Sequence, residues 1–339
     1  MRKKVKFTGQ NILSVSQFER ADIDTIFRVA DSMEPYAQRQ KRTRVLEGAI
    51  LGNMFFEAST RTRISFGSAF NLLGGDVRET VGLELSALSK GESLHDTARV
   101  LSGFSDIICM RHPESGSVAE FAKSSRVPVI NGGDGTNEHP SQALLDLYTI
   151  EKELKGLGRK IDGLRIAMIG DLKHGRTVHS LSKLLMLFKN ISIQLVSPKD
   201  LSMPKDIVEE MKSNGLTVTE SEKIEPGISH VDIVYSTRIQ EERFTSKDEA
   251  DLYRGRFRLN QAVYTANCEP NTVIMHPLPR DSRQEANELD IDLDGNPNLA
   301  IFRQTDNGLL IRMALFAMTL DVVHLVDKSS SEVPWHNHR

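Results

Sequence analysis

The sequence predicts an α/β protein of two domains, each a parallel sheet flanked by helices. Three observations predict it. Apolar runs such as AILGNMFF (49–56) and LRIAMIG (164–170) are continuous rather than alternating, as in strands covered on both faces. Between successive runs lie stretches of helical periodicity, the crossovers that parallel strands require. The chain has 339 residues, more than a single core ordinarily serves.

The elements follow in order. In the first strand, Ile50, Leu51, Met54, Phe55 and Phe56 form the apolar run. After it Phe66, Ala69, Phe70 and Leu73 fall on one helix face, and Gly74-Gly75 stops the helix. DIICM (106–110) and VPVI (127–130) read as further strands, each preceded by a helical stretch. The second half repeats the scheme. LRIAMIG is a strand, and Val178, Leu181, Leu184, Leu185 and Phe188 form a helical stripe. ISIQLVS (191–197) is a strand and IVEEMKSNG (207–215) a helix closed by glycine. VDIVYST (231–237) and NTVIMHP (271–277) complete the strands. A helix beginning near Pro140 joins the domains, and the residues alone leave open which of them takes the last apolar helix, Gly308 to Val326.

Bulk properties narrow the function. Lys and Arg total 43 against 46 Asp and Glu, a formal charge of -3, which gives no reason to expect nucleic acid or an anionic membrane as partner. Cationic groups that bind anions must therefore be gathered locally. Cys109 and Cys268 are far apart and lack metal-ligand spacing, which fits two reduced thiols in a cytoplasmic protein. The basic start MRKKVKFTGQ lacks the apolar core of a signal peptide, and no apolar run approaches the length of a membrane span. The last stretch, 328–339, reads as a flexible polar tail.

Ligands of open parallel sheets bind beyond the carboxyl ends of the strands, and polar groups cluster there. In FFEASTRTRISF (55–66), Ser59 suits an N-cap, with Thr60, Arg61 and Thr62 in the opening turn. A helix start, three hydroxyls and a guanidinium make an anion cradle, although a capped helix with solvated arginines has the same spacing. Arg111 and His112 follow DIICM directly. In NGGDGTNEHPSQ, Pro140 suits the first helical position, which puts His139 where imidazolium is disfavoured, with Gln142 in the same turn. GDLKHGRTVHS (170–180) sets Arg176 at another helix start, and its glycines do not spell a dinucleotide fingerprint. Arg238 and Gln240 follow VDIVY, and MHPLPR (275–280) ends a strand in a rigid, proline-rich bend. No serine triad, phosphate-binding loop or Cys/His cluster stands out, and the loops are poor in carboxylates, so metal chelation is not expected. Arginine-rich, carboxylate-poor loops suit positioning and electrostatic stabilisation of a multiply anionic substrate.

Taken together STRTR (59–63), KGE (90–92), MRHP (110–113), NGGDGTNEHPSQALLDL (131–147), GDLKHGRTVHS, TRIQEER (237–243) and HPLPR (276–280) resemble the catalytic chain of the aspartate carbamoyltransferase family, in the right order over nearly the whole chain. The resemblance implies a homotrimeric enzyme of pyrimidine biosynthesis that makes N-carbamoyl-L-aspartate and phosphate from carbamoyl phosphate and L-aspartate, with no metal or organic cofactor. It implies that Ser59, Thr60, Arg61 and Thr62 hold the phosphate, and that Arg111, His139 and Thr62 polarise the carbonyl. Gln142 and the carbonyls of Leu278 and Pro279, joined by a cis bond, would hold the amino group. Arg176, Arg238 and Gln240 would take the carboxylates of aspartate, and Ser86 and Lys90 would come from the neighbouring subunit. Glu57 would pair with Arg176 or Arg243 as the domains close, and Arg63 is assigned to structure.

The boundaries adopted are 1–147 for a carbamoyl-phosphate domain and 148–305 for an aspartate domain, with a helix of about 306–327 packing back on the first. Ornithine carbamoyltransferases, the relatives to exclude, take a cationic acceptor and typically carry Cys where this chain has Pro277. Two departures stand out, His174 in place of a frequent Tyr and a longer, more acidic stretch at 281–298. The sequence leaves open whether regulatory chains join the trimer.

Overall fold

Contacts divide the chain into two units, Met1–Leu144 with Asn307–Arg339, and Leu145–Asp306. The computed structural model describes residues 7–82, 87–240, 244, 253, 255–283 and 286–335. The sequence reading set the corresponding boundaries at 147 and 305.

In the first unit β1 (Lys41–Thr43) precedes a four-stranded parallel sheet of β2 (Ile50–Phe55), β3 (Asp76–Val81), β4 (Ile107–His112) and β5 (Val129–Asp134). Its spatial order is β3-β2-β4-β5. β2 is interior, which is why Leu51, Met54 and Phe55 form an unbroken buried run. The helix Thr60–Leu72 follows, and Phe66, Ala69, Phe70 and the capping Leu73 are all fully buried. Phe66 and Phe70 meet Phe316 edge to face, with ring centroids 5.9 and 5.0 Å away. Burying each such ring contributes about 1.5–3 kcal/mol, and each edge-to-face pair ~0.5–1.5 kcal/mol more.

In the second unit five parallel strands, β6 (Arg165–Ile169), β7 (Ser192–Val196), β8 (Thr217–Ser221), β9 (Ile233–Ser236) and β10 (Val273–Met275), lie in the order β10-β9-β6-β7-β8. The helix Arg176–Leu185 buries Val178, Leu181, Leu184 and Leu185, and Phe188 just beyond it is also buried. Gly170, at the end of β6, has φ +112, and a Cβ there would stand 2.1 Å from the Thr237 carbonyl oxygen. The ends of β6 and β9 can approach this closely only over a glycine.

Three features depart from the sequence reading. β3 and β8 were not anticipated, because these two edge strands carry exposed polar residues instead of an apolar run. The last long helix runs Ile301–Thr319, beginning and ending earlier than the Gly308–Val326 stripe suggests. The expected flexible tail is corrected over its first part, where β11 (Ser330–Glu332) pairs antiparallel with β1. Thr43 Oγ1 anchors that return through the Val326 carbonyl at 3.0 Å. Among the described residues no single helix is long and apolar enough to cross a membrane.

Candidate active site

In both sheets the direction of winding reverses between two neighbouring strands, β2 and β4 in the first unit and β6 and β9 in the second. Such switch points open a crevice at the strands' carboxyl ends. Arg61, Arg111, Arg176 and Arg238, singled out from the sequence, stand at or just beyond the ends of these four strands.

In the first unit Ser59 stands at the N-cap position of Thr60–Leu72 in extended geometry, but its hydroxyl makes no capping bond. Thr60 and Arg61 are exposed and Thr62 is half-buried. Arg63 pairs with Glu79, while Asn53 Nδ2 donates to both the Arg63 carbonyl (3.1 Å) and Glu79 Oε1 (2.8 Å). The second guanidinium of STRTR is thus tied to the sheet, as the sequence reading assigns it. Arg111 stands in register with Phe55, and its carbonyl accepts from Phe56 N at 2.9 Å. Its Nε lies 2.9 Å from Glu57 Oε2, so the buried cation and this carboxylate neutralise one another beside the crevice. His112 faces the edge of Phe56, and Nδ1 accepts from the Glu114 amide at 3.1 Å. Burial lowers its pKa below the ordinary imidazole value.

The loop after β5 is held by one carboxylate. Asp134 accepts from Asn131, Gly116 N, Asn137 and Glu138 N over 2.9–3.2 Å. That brings buried His139 to the start of Pro140–Gly156, where its carbonyl accepts from Gln142 N (3.0 Å) and Ala143 N (3.1 Å). Gln142 is half-buried one turn in. Lys90 ends the short turn Ala87–Lys90 and is exposed. Ser86 and Arg243 lie outside the described residues.

In the second unit Arg176 opens Arg176–Leu185 behind β6, and Arg238 and Gln240 follow β9. Leu278 and Pro279 follow β10 and are joined by a cis peptide bond, with Leu278 at φ +55. These three loops belong to the adjacent strands β6, β9 and β10. Asp171, fully buried, links two of them: it accepts from His174 N (3.0 Å), contacts His174 Nδ1 (3.1 Å) and accepts from Gln240 N at 3.3 Å. Sequence reasoning missed Asp171, though its place directly after a strand-ending glycine is the kind of position that ties loops together. His174, the departure noted above, turns its ring edge to Phe244 at 5.6 Å. The sequence also missed His276, Glu288 and Gln304 around Leu278. Among the described residues no cluster of His, Cys, Asp and Glu could hold a metal ion.

The chain matches two family models, "Aspartate/ornithine carbamoyltransferase, carbamoyl-P binding domain" over residues 10–152 and "Asp/Orn binding domain" of the same family over 162–319. The second match runs past Asp306 into residues of the first unit. The chain is 74% identical over 335 residues to the aspartate carbamoyltransferase catalytic subunit of Saccharophagus degradans, covering 99% of each. Crystallised aspartate transcarbamoylase from Trypanosoma cruzi in complex with N-(phosphonacetyl)-L-aspartic acid superposes with TM-score 0.83 at 36% identity, covering 94% of this chain and 98% of that one. The catalytic subunit from M. jannaschii gives 0.82 at 41% identity, over 93% and 98%.

Proposed function

Because the chain belongs to the aspartate/ornithine carbamoyltransferase family, we propose that it transfers the carbamoyl group of carbamoyl phosphate to the amine of L-aspartate, early in pyrimidine biosynthesis. The observation that carries this reading is the gathering of Arg61 and Arg111 at one unit's switch point and of Arg176 and Arg238 at the other's. Carbamoyl phosphate carries about two negative charges and aspartate a pair of carboxylates, and guanidinium forks grip both kinds of group.

Ser59, Thr60, Arg61 and Thr62 hold the phosphate at a helix start, where amide donors and the dipole favour an anion. The aspartate amine attacks the carbonyl carbon, and charge grows on the carbonyl oxygen. Arg111, His139 and Thr62 donate to it, and Gln142 with the carbonyls of Leu278 and Pro279 orients the amino group. A C–N bond forms as the bond from carbon to the phosphate oxygen breaks, and the departing phosphate takes the amine proton. Arg176, Arg238 and Gln240 take the two carboxylates, which favours aspartate over the cationic ornithine. The loaded enzyme is a homotrimer of the cytoplasm in which Lys90 and Ser86 serve a neighbour's site. The exposure of Lys90 supports this. Glu57, paired with Arg111 in this structure, would trade partners with Arg176 or Arg243 during turnover.

The test is to size the purified protein and to assay each fraction for ureido product with carbamoyl phosphate and either L-aspartate or L-ornithine. Product from aspartate, confined to the trimer fraction, is expected. Product from ornithine alone overturns the substrate assignment, and turnover in a monomer fraction overturns the shared site.

A further inference from the structure

We propose that His276 and Glu288 are positioning residues for the Leu278–Pro279 bend, and that the acidic stretch after Arg280 exists to clamp that bend. The inference rests on the functional reading above, which gives the two carbonyls of the bend to the carbamoyl amino group.

The bend needs holding. Leu278 sits at φ +55, a conformation that costs a residue with a Cβ of order 1–2 kcal/mol. Its N–H donates to His276 Nδ1 at 2.9 Å. Nδ1 must therefore offer its lone pair, which puts the ring proton on Nε2. That nitrogen lies 2.8 Å from Glu288 Oε1. The same carboxylate accepts from Asp281 N at 3.1 and 3.2 Å, so one side chain grips both ends of the 276–281 bend. His276 and Glu288 are 1% and 6% exposed, and in so dry a setting the polar contact between imidazole and carboxylate is electrostatically stronger than in water. From behind, His276 N donates to Gln304 Oε1 at 2.9 Å, and Gln304 Nε2 donates to buried Asp146 at 2.6 Å. Asp294 adds a bidentate grip on Arg280, at 2.7 and 3.0 Å. Carboxylates of the acidic stretch are thus spent on the bend itself. Fixing the bend before substrate arrives spares the binding energy that ordering it would otherwise consume.

The test compares carbamoyl phosphate with acetyl phosphate, which carries a methyl group where the donor has its amino group. Both are titrated calorimetrically into the trimer. His276→Ala and Glu288→Gln are expected to weaken carbamoyl phosphate roughly tenfold, while acetyl phosphate changes by less than about twofold. His276→Asn, whose Oδ1 can accept from Leu278 N, is expected to recover part of the loss. Equal weakening of both ligands, or of neither, overturns the proposal. Glu288→Gln keeps size and shape, so the comparison survives if His276→Ala does not fold. Failure of the unaltered protein to bind carbamoyl phosphate at all would instead defeat the functional reading.

Discussion

Replacing Arg111 by Ala is expected to lower kcat by ~10²–10³, the usual cost of removing one donor from a developing oxyanion. Carbamoyl phosphate and transition state differ in charge on the carbonyl oxygen, so the loss falls on kcat more than on KM. A second effect must be separated from the first. Arg111 Nε lies 2.9 Å from Glu57 Oε2, and removing the cation strands a partly buried carboxylate. That costs about 1–3 kcal/mol of stability. Glu57→Gln combined with Arg111→Ala removes the stranded charge, so the thermal midpoint should recover while kcat stays far below that of Glu57→Gln alone. If the double variant regained activity along with its midpoint, Arg111 would be a structural residue only.

Arg176→Ala should raise KM for L-aspartate by ~10–100-fold, since a hydrogen bond to a charged group is worth about 1.5–3 kcal/mol. The substitution is gentle on the fold. Arg176 is the first residue of Arg176–Leu185, its side chain is only half-buried, and alanine is the best helix former. KM for carbamoyl phosphate, measured at saturating aspartate, should stay within about threefold. A rise in that constant equal to the rise for aspartate would take Arg176 out of the acceptor half-site.

Much of the fold was legible because central parallel strands advertise themselves. β2, β4, β6 and β9 are buried runs, and the stripe Phe66, Ala69, Phe70 and Leu73 is buried along Thr60–Leu72 and its cap. β3 and β8 were silent, since these two edge strands lie largely exposed and carry polar residues. The candidate site was legible where chemistry demands unusual residues at strand ends, as in STRTR and HPLPR. It was illegible where a common residue acts through distant partners. Asp171 gains meaning only from Gln240, and Glu288 only from His276 and Asp281 N, pairings that chain folding creates. For the same reason the acidic stretch read as a departure from the family, although its carboxylates hold Arg280, His276 and Arg258. The C-terminal residues read as loose because three polar residues pairing with Lys41–Thr43 leave no apolar trace.

The proposed chemistry turns on a division of labour between the arginines of the two units. Calorimetric titration of N-(phosphonacetyl)-L-aspartate, alongside succinate in the presence of carbamoyl phosphate, tests it most directly. Arg61→Ala and Arg238→Ala should each weaken the phosphonate at least about tenfold, whereas only Arg238→Ala should weaken succinate directly. Phosphonate binding left unchanged by either substitution would contradict the assignment.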